Sequence, residues 1–253
     1  MKIYNRLIDW KSRNHKGLFV LIDPDKGGIS DLVSRAVVSQ DSGADLILVG
    51  GSHLTIDKFD SLITAVKDEV SVPVVLFPGG AGQLSGKADA VLLLSLISGR
   101  NPQYLIGEHV TAAPIIKRMG IEAIPTGYML IESGKMSAIE FITGTKPIPR
   151  DQIKIAVSHA IAGELLGMKL IYLEAGSGGA NPVPVEMITA VSKSIEIPLI
   201  AGGGIRSAEQ AQNAVQAGAD FIVVGNALED ASAGTLVREM KAAINPLHPF
   251  NSL

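Results

Sequence analysis

Two carboxylates in this sequence stand where apolar runs give way to glycine, and either could do chemistry. Glu174 lies in "YLEAGSG" (172–178), directly after the apolar "KLI". Glycines there permit a tight turn and let a ligand approach the backbone. A carboxylate so placed could be a general base, a metal ligand or a solvated residue at a strand end. Asp23 ends the run "LFVLID" and precedes Pro24, Asp25 and Lys26. A charge at the end of an apolar strand is costly unless it has a partner, and Pro24 disfavours helix at Asp23. The Asp23 carboxylate is therefore expected to face the mouth of whatever the strands enclose, with Asp25 the better helix cap. Mg2+ takes oxygen ligands, keeps waters and needs only one or two protein groups. Asp23 with the hydroxyl of Ser52, in "VGGSH" at the next strand end, would suit it. The plainer alternative is that Asp23 caps a helix or pairs with Lys26.

A third signal is "AGGGIRS" (201–207), followed by "VGN" (224–226). Exposed backbone N–H groups at a helix start attract anions. Two such loops, carrying Gly203, Gly204, Gly225 and Asn226, predict a phosphate site rather than a mere turn. Arg206 is either a phosphate contact or a solvated helix start. His53 stands beside Ser52, but one histidine without cysteine makes no zinc site. His109 and His159 fall in helix-period stretches and are expected to be structural or surface residues. Tyr128 and Glu132 are expected at the pocket wall. No Ser-His-Asp arrangement can be argued, and no strand offers a convincing Schiff-base lysine.

These residues need elements to hold them. Short apolar runs occur at 18–23, 46–51, 73–79, 90–97, 122–131, 169–176, 198–204 and 221–226, each bounded by Gly, Pro or Asp. Helix-period stretches lie between them. Phe59, Leu62, Ile63, Val66 and Val70 make one face in 57–70, as do Ile153, Ala156, Val157, Ala160, Ile161 and Leu165 in 151–166. Ser207 is a candidate N-cap and Gly218 a candidate stop for 208–217. Eight β/α units without a linker predict one domain, 1–253, folded as an α/β TIM barrel. The bridge "GGAGQLSGKAD" is too glycine-rich for a helix, so the third barrel helix should be replaced by a loop. A dinucleotide-binding open sheet would want G-x-G-x-x-G after the first strand, where "IDPDKGG" stands instead.

Composition narrows the function classes. The chain has 253 residues, 47% hydrophobic, with a net charge of −3 and no cysteine. Disulfides and thiolate sites are excluded, and with no basic tract nucleic acid is not an expected partner. The N-terminus lacks the apolar core of a signal peptide, and no run approaches the ~20 residues that span a bilayer. A cytoplasmic protein is expected. The mean hydropathy of +0.31 fits parallel strands buried on both faces.

Together, "LIDPDK", "VGGSHLT", "YLEAGSG", "AGGGIRS" and "VVGNALE" resemble the geranylgeranylglyceryl phosphate synthase family, which includes the PcrB heptaprenylglyceryl phosphate synthases. The missing third helix fits that family. The resemblance implies a prenyl transfer, in which the 3-hydroxyl of sn-glycerol 1-phosphate attacks C1 of a polyprenyl diphosphate and diphosphate leaves. It places Mg2+ at Asp23 and Ser52. It places the glycerol phosphate at Tyr172, Leu173, Glu174, Ala175, Gly176, Ser177 and Gly178, then Gly203, Gly204, Gly225 and Asn226. Glu174 becomes the group that holds or deprotonates the hydroxyl, with Tyr172 beside it. The prenyl tail is expected in the gap left by the missing helix, near 79–89, with Ala112 and Ala113 leaving room. A homo-oligomer, dimer or hexamer, and peripheral contact with a membrane are further expectations. One departure stands at Leu21, where some members carry a phosphate-gripping lysine; Lys26, Arg206 or backbone amides would have to replace it. The "EAGSGGAN" loop also sets this chain apart from members with a shorter "EYSG". The alternative reading is another phosphate-binding barrel, an isomerase or lyase of the tryptophan, histidine or thiamine pathways.

Overall fold

The computed structural model describes residues 2–51, 58–225 and 233–245. Eight parallel strands close into a barrel in sequence order. They are β1 (Gly17–Ile22), β2 (Leu46–Val49), β3 (Val74–Leu76), β4 (Ala90–Leu96), β5 (Glu122–Leu130), β6 (Leu170–Glu174), β7 (Leu199–Gly202) and β8 (Phe221–Val224). Every apolar run becomes a strand. Several stop earlier than their apolar pattern, because the glycines and Pro78 after β2, β3 and β7 turn the chain out of the ladder. The helices are α1 (Ile3–Ser12), α2 (Ile29–Asp41), α3 (Phe59–Glu69), α4 (Glu108–Met119), α5 (Ala138–Thr143), α6 (Ile153–Leu165), α7 (Val185–Ser192), α8 (Ala208–Gln216) and α9 (Ala233–Ile244). No helix joins β3 to β4; residues 77–89 are loop. Among the described residues no helix is long and apolar enough to cross a membrane.

Strand periodicity decides what faces the lumen, since successive side chains point to opposite faces. In β6, Leu170 and Tyr172 pack inside the barrel, while Ile171 and Leu173 pack outward against the helices. The same alternation carries Glu174 to the inner face at the strand's C-terminal end. Phe19 of β1 and Phe221 of β8 stack at 5.0 Å near the opposite end. Trp10 of α1 lies 6.3 and 6.2 Å from these rings, so α1 plugs the barrel floor. The Glu122 carboxylate accepts hydrogen bonds from the N–H groups of Ile3 and Tyr4 at 2.6 and 3.3 Å, an anion at a helix N-terminus.

The floor also fixes strand register. Asp45, Asp89 and Asp220 precede β2, β4 and β8 and accept from the N–H groups of Leu18, Val74 and Leu199 at 2.8, 2.7 and 3.0 Å. Each is paired with a lysine, Lys241, Lys67 and Lys11 respectively, at 2.6, 2.8 and 2.9 Å. The helices seat as their apolar faces require. Phe59, Leu62, Ile63 and Val66 of α3 are buried, and the Ser207 hydroxyl caps α8 by accepting from the Gln210 N–H at 3.2 Å.

Candidate active site

The strand C-termini surround a polar cavity lined by Asp23, Lys26, Arg35, Glu174, Ser177 and Arg206, together with Gly178, Gly203, Gly204 and Gly225. The carboxylates singled out in the sequence thus share one space with the glycine loops. Ser52, His53 and Asn226 lie outside the described residues.

Glu174 is 6% exposed. Burial pushes its carboxyl up from an ordinary 4.5 to about 7, partly offset by hydrogen bonding from Tyr172 and from the Gly176 backbone. A carboxyl poised there can exchange a proton near neutral pH. Burial also pushes the Tyr172 hydroxyl well up, and the Glu174 charge beside it pushes further. Tyr172 Oη interacts with Glu174 and has no other hydrogen-bond partner among the described residues. A buried hydroxyl left so is a group a ligand can satisfy. Phe77, Tyr128 and Tyr172 form a ring cluster beneath, with centroids 5.2 to 6.0 Å apart.

The triple glycine has a physical reason that composition did not reveal. A side-chain carbon at Gly202 would collide with Tyr172 Oη. One at Gly203 would collide with Glu174 Oε1 and come within 2.8 Å of the Ala175 and Gly176 nitrogens. Gly203 also sits at φ +76°, a region that suits glycine. The β7 end is therefore bare so that the β6 end can carry a tyrosine and a carboxylate. Gly204 and Gly225 both line the cavity, where backbone N–H groups are the donor type that holds an anion.

Asp23 lies at the end of β1. Its Oδ1 accepts from the Asp25 N–H at 3.1 Å, capping the short turn Pro24–Lys26. Asp23, not Asp25, is thus the cap, because Pro24 turns the chain back over its carboxylate. The group still faces the cavity, since a side-chain carbon at Gly51 would lie only 3.1 Å from Asp23 Oδ1. Asp23 lines the polar cavity beside Gly51, and a carboxylate oxygen is the ligand type that Mg2+ takes. Among the described residues no three His, Cys, Asp or Glu groups cluster as a metal site.

Of the other expectations, some hold and some are revised. Arg206 Nη2 donates to the carbonyl oxygens of Gly179 and Gly178 at 2.7 and 3.4 Å, so its guanidinium fixes the β6 loop. Tyr128 lines the cavity, but Glu132 is exposed beyond β5 and does not. His159 is tied to the Ile155 carbonyl and to Arg100 at 2.7 and 3.3 Å. Arg35, in the middle of α2, reaches the cavity without any signal in the sequence, because a lone cation on an amphipathic helix looks like a solvated face.

A second, apolar groove adjoins the polar cavity and shares Gly51, Phe77, Tyr128 and Ile139 with it. It runs between the β3–β4 loop and α4, past Ala81, Leu84, Tyr104, Ala112 and Ile116. This is the gap left by the missing helix. His109 lines it with its ring bonded to the Leu94 carbonyl at 2.8 Å.

The fold and site define a (β/α)8 barrel whose strand ends hold a buried carboxylate, glycine-rich loops and an apolar annex. The chain matches the PcrB family over residues 5–244 and belongs to it. It is 45% identical over 248 residues to a geranylgeranylglyceryl phosphate synthase of Chitinophaga pinensis, covering 98% of each chain. It is 45% identical to that of Thermococcus gammatolerans, covering 95% of each. Among solved structures it superposes with a TM-score of 0.92 and 34% identity on the (S)-3-O-geranylgeranylglyceryl phosphate synthase of Thermoplasma acidophilum in complex with sn-glycerol-1-phosphate. That match covers 96% of this chain and 98% of the other. A thiamine phosphate pyrophosphorylase of Pyrococcus furiosus shares the fold alone, at a TM-score of 0.59 and 15% identity.

Proposed function

We propose that this chain joins the 3-hydroxyl of sn-glycerol 1-phosphate to C1 of a polyprenyl diphosphate, geranylgeranyl diphosphate by preference. The observation that carries this reading is the continuity of a polar, carboxylate-bearing cavity with an apolar groove. Small phosphorylated metabolites need no such groove; a substrate with an anionic head and a prenyl tail does. The relative that binds sn-glycerol-1-phosphate supports the other half of the reaction.

In this reading the amides of Gly204 and Gly225 hold the glycerol phosphate, with Ser177 and Asn226 beside them. The glycerol hydroxyl sits against Glu174 and Tyr172. Glu174 takes the hydroxyl proton as the glycerol oxygen bonds to C1, the bond from C1 to the diphosphate oxygen breaks, and diphosphate departs. General-base assistance is worth roughly 10²–10⁴ in rate. Asp23, with Ser52, would hold Mg2+, which when bound offsets the charge that develops on the leaving diphosphate. Lys26 and Arg35 add positive charge to the same cavity.

The test is to incubate the chain with sn-glycerol 1-phosphate, Mg2+ and labelled geranylgeranyl diphosphate and to extract the product. An apolar phosphate with an ether bond is expected. Failure to form an ether with any C15–C35 diphosphate would end the proposal.

A further inference from the structure

The β3–β4 loop carries a buried polar side chain that the chemistry above does not use. Gln83 is 4% exposed. Its Nε2 donates to the Gly51 carbonyl oxygen at 2.8 Å, and its Oε1 accepts from the Gly51 N–H at 3.1 Å. The fixed donor and acceptor of one backbone residue set the amide's orientation, because only one way round satisfies both. Gly51 follows β2, abuts Asp23, and lines the polar cavity and the apolar groove alike. Gln83 lines neither; its neighbours Ala81 and Leu84 line the groove. The loop has one further tie to α4, where the Ala81 N–H donates to Glu108 Oε2 at 2.9 Å. Among the described residues a single side chain therefore joins the wall beside Asp23 to the segment that borders the groove.

We infer that Gln83 is a positioning residue that couples the two halves of the prenyl diphosphate site. Through Gly51 it sets the wall that faces the diphosphate head, and through its own backbone it holds the loop over the tail. The inference rests on the proposed function and adds to it a residue that acts on one substrate and not the other. Removing a buried, doubly bonded amide leaves both Gly51 groups unsatisfied, which costs far more than an exposed bond would.

Gln83→Met fills the same space without either hydrogen bond, and Gln83→Glu keeps only the acceptor for the Gly51 N–H. Binding is measured by titration calorimetry with geranylgeranyl thiodiphosphate, inorganic diphosphate and sn-glycerol 1-phosphate, each with Mg2+. Both variants are expected to weaken the thiodiphosphate by about tenfold or more, and inorganic diphosphate by a smaller factor. Glycerol phosphate affinity should stay within about twofold, since Gln83 is remote from the β7 and β8 loops that hold it. Equal weakening of all three ligands would show a general structural role and overturn the inference, as would unchanged thiodiphosphate binding in Gln83→Met. Equal factors for thiodiphosphate and inorganic diphosphate would overturn the coupling to the tail. Absence of thiodiphosphate binding by the unaltered chain would overturn the functional reading and this inference with it.

Discussion

Glu174→Gln should destroy activity and at the same time stabilise the fold, with a dependence on pH that reveals why. The carboxyl is buried and binds its proton more tightly in the folded chain, up from 4.5 to about 7. Between those values the folded state carries more protons than the unfolded one, so stability falls as pH rises. The stabilising protonated form is fully present below about 4.5 and is lost as pH rises through about 7. At about 1.4 kcal/mol per unit, ionising Glu174 costs the native state at most about 3 kcal/mol at pH 8. The neutral amide has no such cost. Urea unfolding of both proteins from about pH 5 to pH 8 measures the difference. Glu174→Gln should gain little at the acid end and up to about 3 kcal/mol at the alkaline end, or roughly 6–12 °C in melting temperature for a chain of this size. A difference flat across that range, or a variant less stable at pH 8, would show that Glu174 is neither desolvated nor held up in its proton affinity.

Three further outcomes follow from the same geometry. Gly203→Ala places a carbon against Glu174 Oε1 and the Ala175 and Gly176 backbone nitrogens; turnover should fall by roughly 10²-fold or more through misplacement of the carboxylate, and the backbone collision should add to the left-handed backbone's cost of about 1–2 kcal/mol of stability, read by kcat beside a melting curve. Asp23→Asn should abolish turnover and raise the Mg2+ concentration needed for diphosphate binding without lowering the melting temperature by more than a few degrees; treatment with EDTA should silence the unaltered chain, and added Mg2+ should restore it. Ala112→Phe fills the apolar groove where α4 lines it, so competition between C15 and C20 diphosphates should shift toward the shorter chain.

The parts legible in the sequence are those set by local pattern. The eight strands show as apolar runs because parallel strands are buried on both faces. The loop in place of a barrel helix shows because glycine and short length forbid a helix there. Glu174 shows because a strand end is a fixed place in this fold and alternation aims it inward. Other parts depend on contacts between distant residues. The bareness of Gly202 and Gly203 answers to Tyr172 and Glu174, some thirty positions earlier. Gln83 gains its meaning only when its loop meets Gly51. Arg206 could be read as a phosphate contact or as a solvated helix start, because nothing local says that the β6 loop will fold back onto it. Asp25 looked the better cap because the turn at Pro24 that brings its N–H onto Asp23 is a matter of backbone geometry.

The central claim is that Glu174 takes the proton from the attacking hydroxyl. The pH dependence of kcat/KM for ether formation, measured with the unaltered chain beside Glu174→Gln, tests it most directly. The unaltered chain should lose activity as pH falls through about 7, and the variant should be slower by roughly 10²–10⁴ with no inflection there. Equal rates in the two proteins, or a rate independent of pH from about 5 to 9, would contradict it.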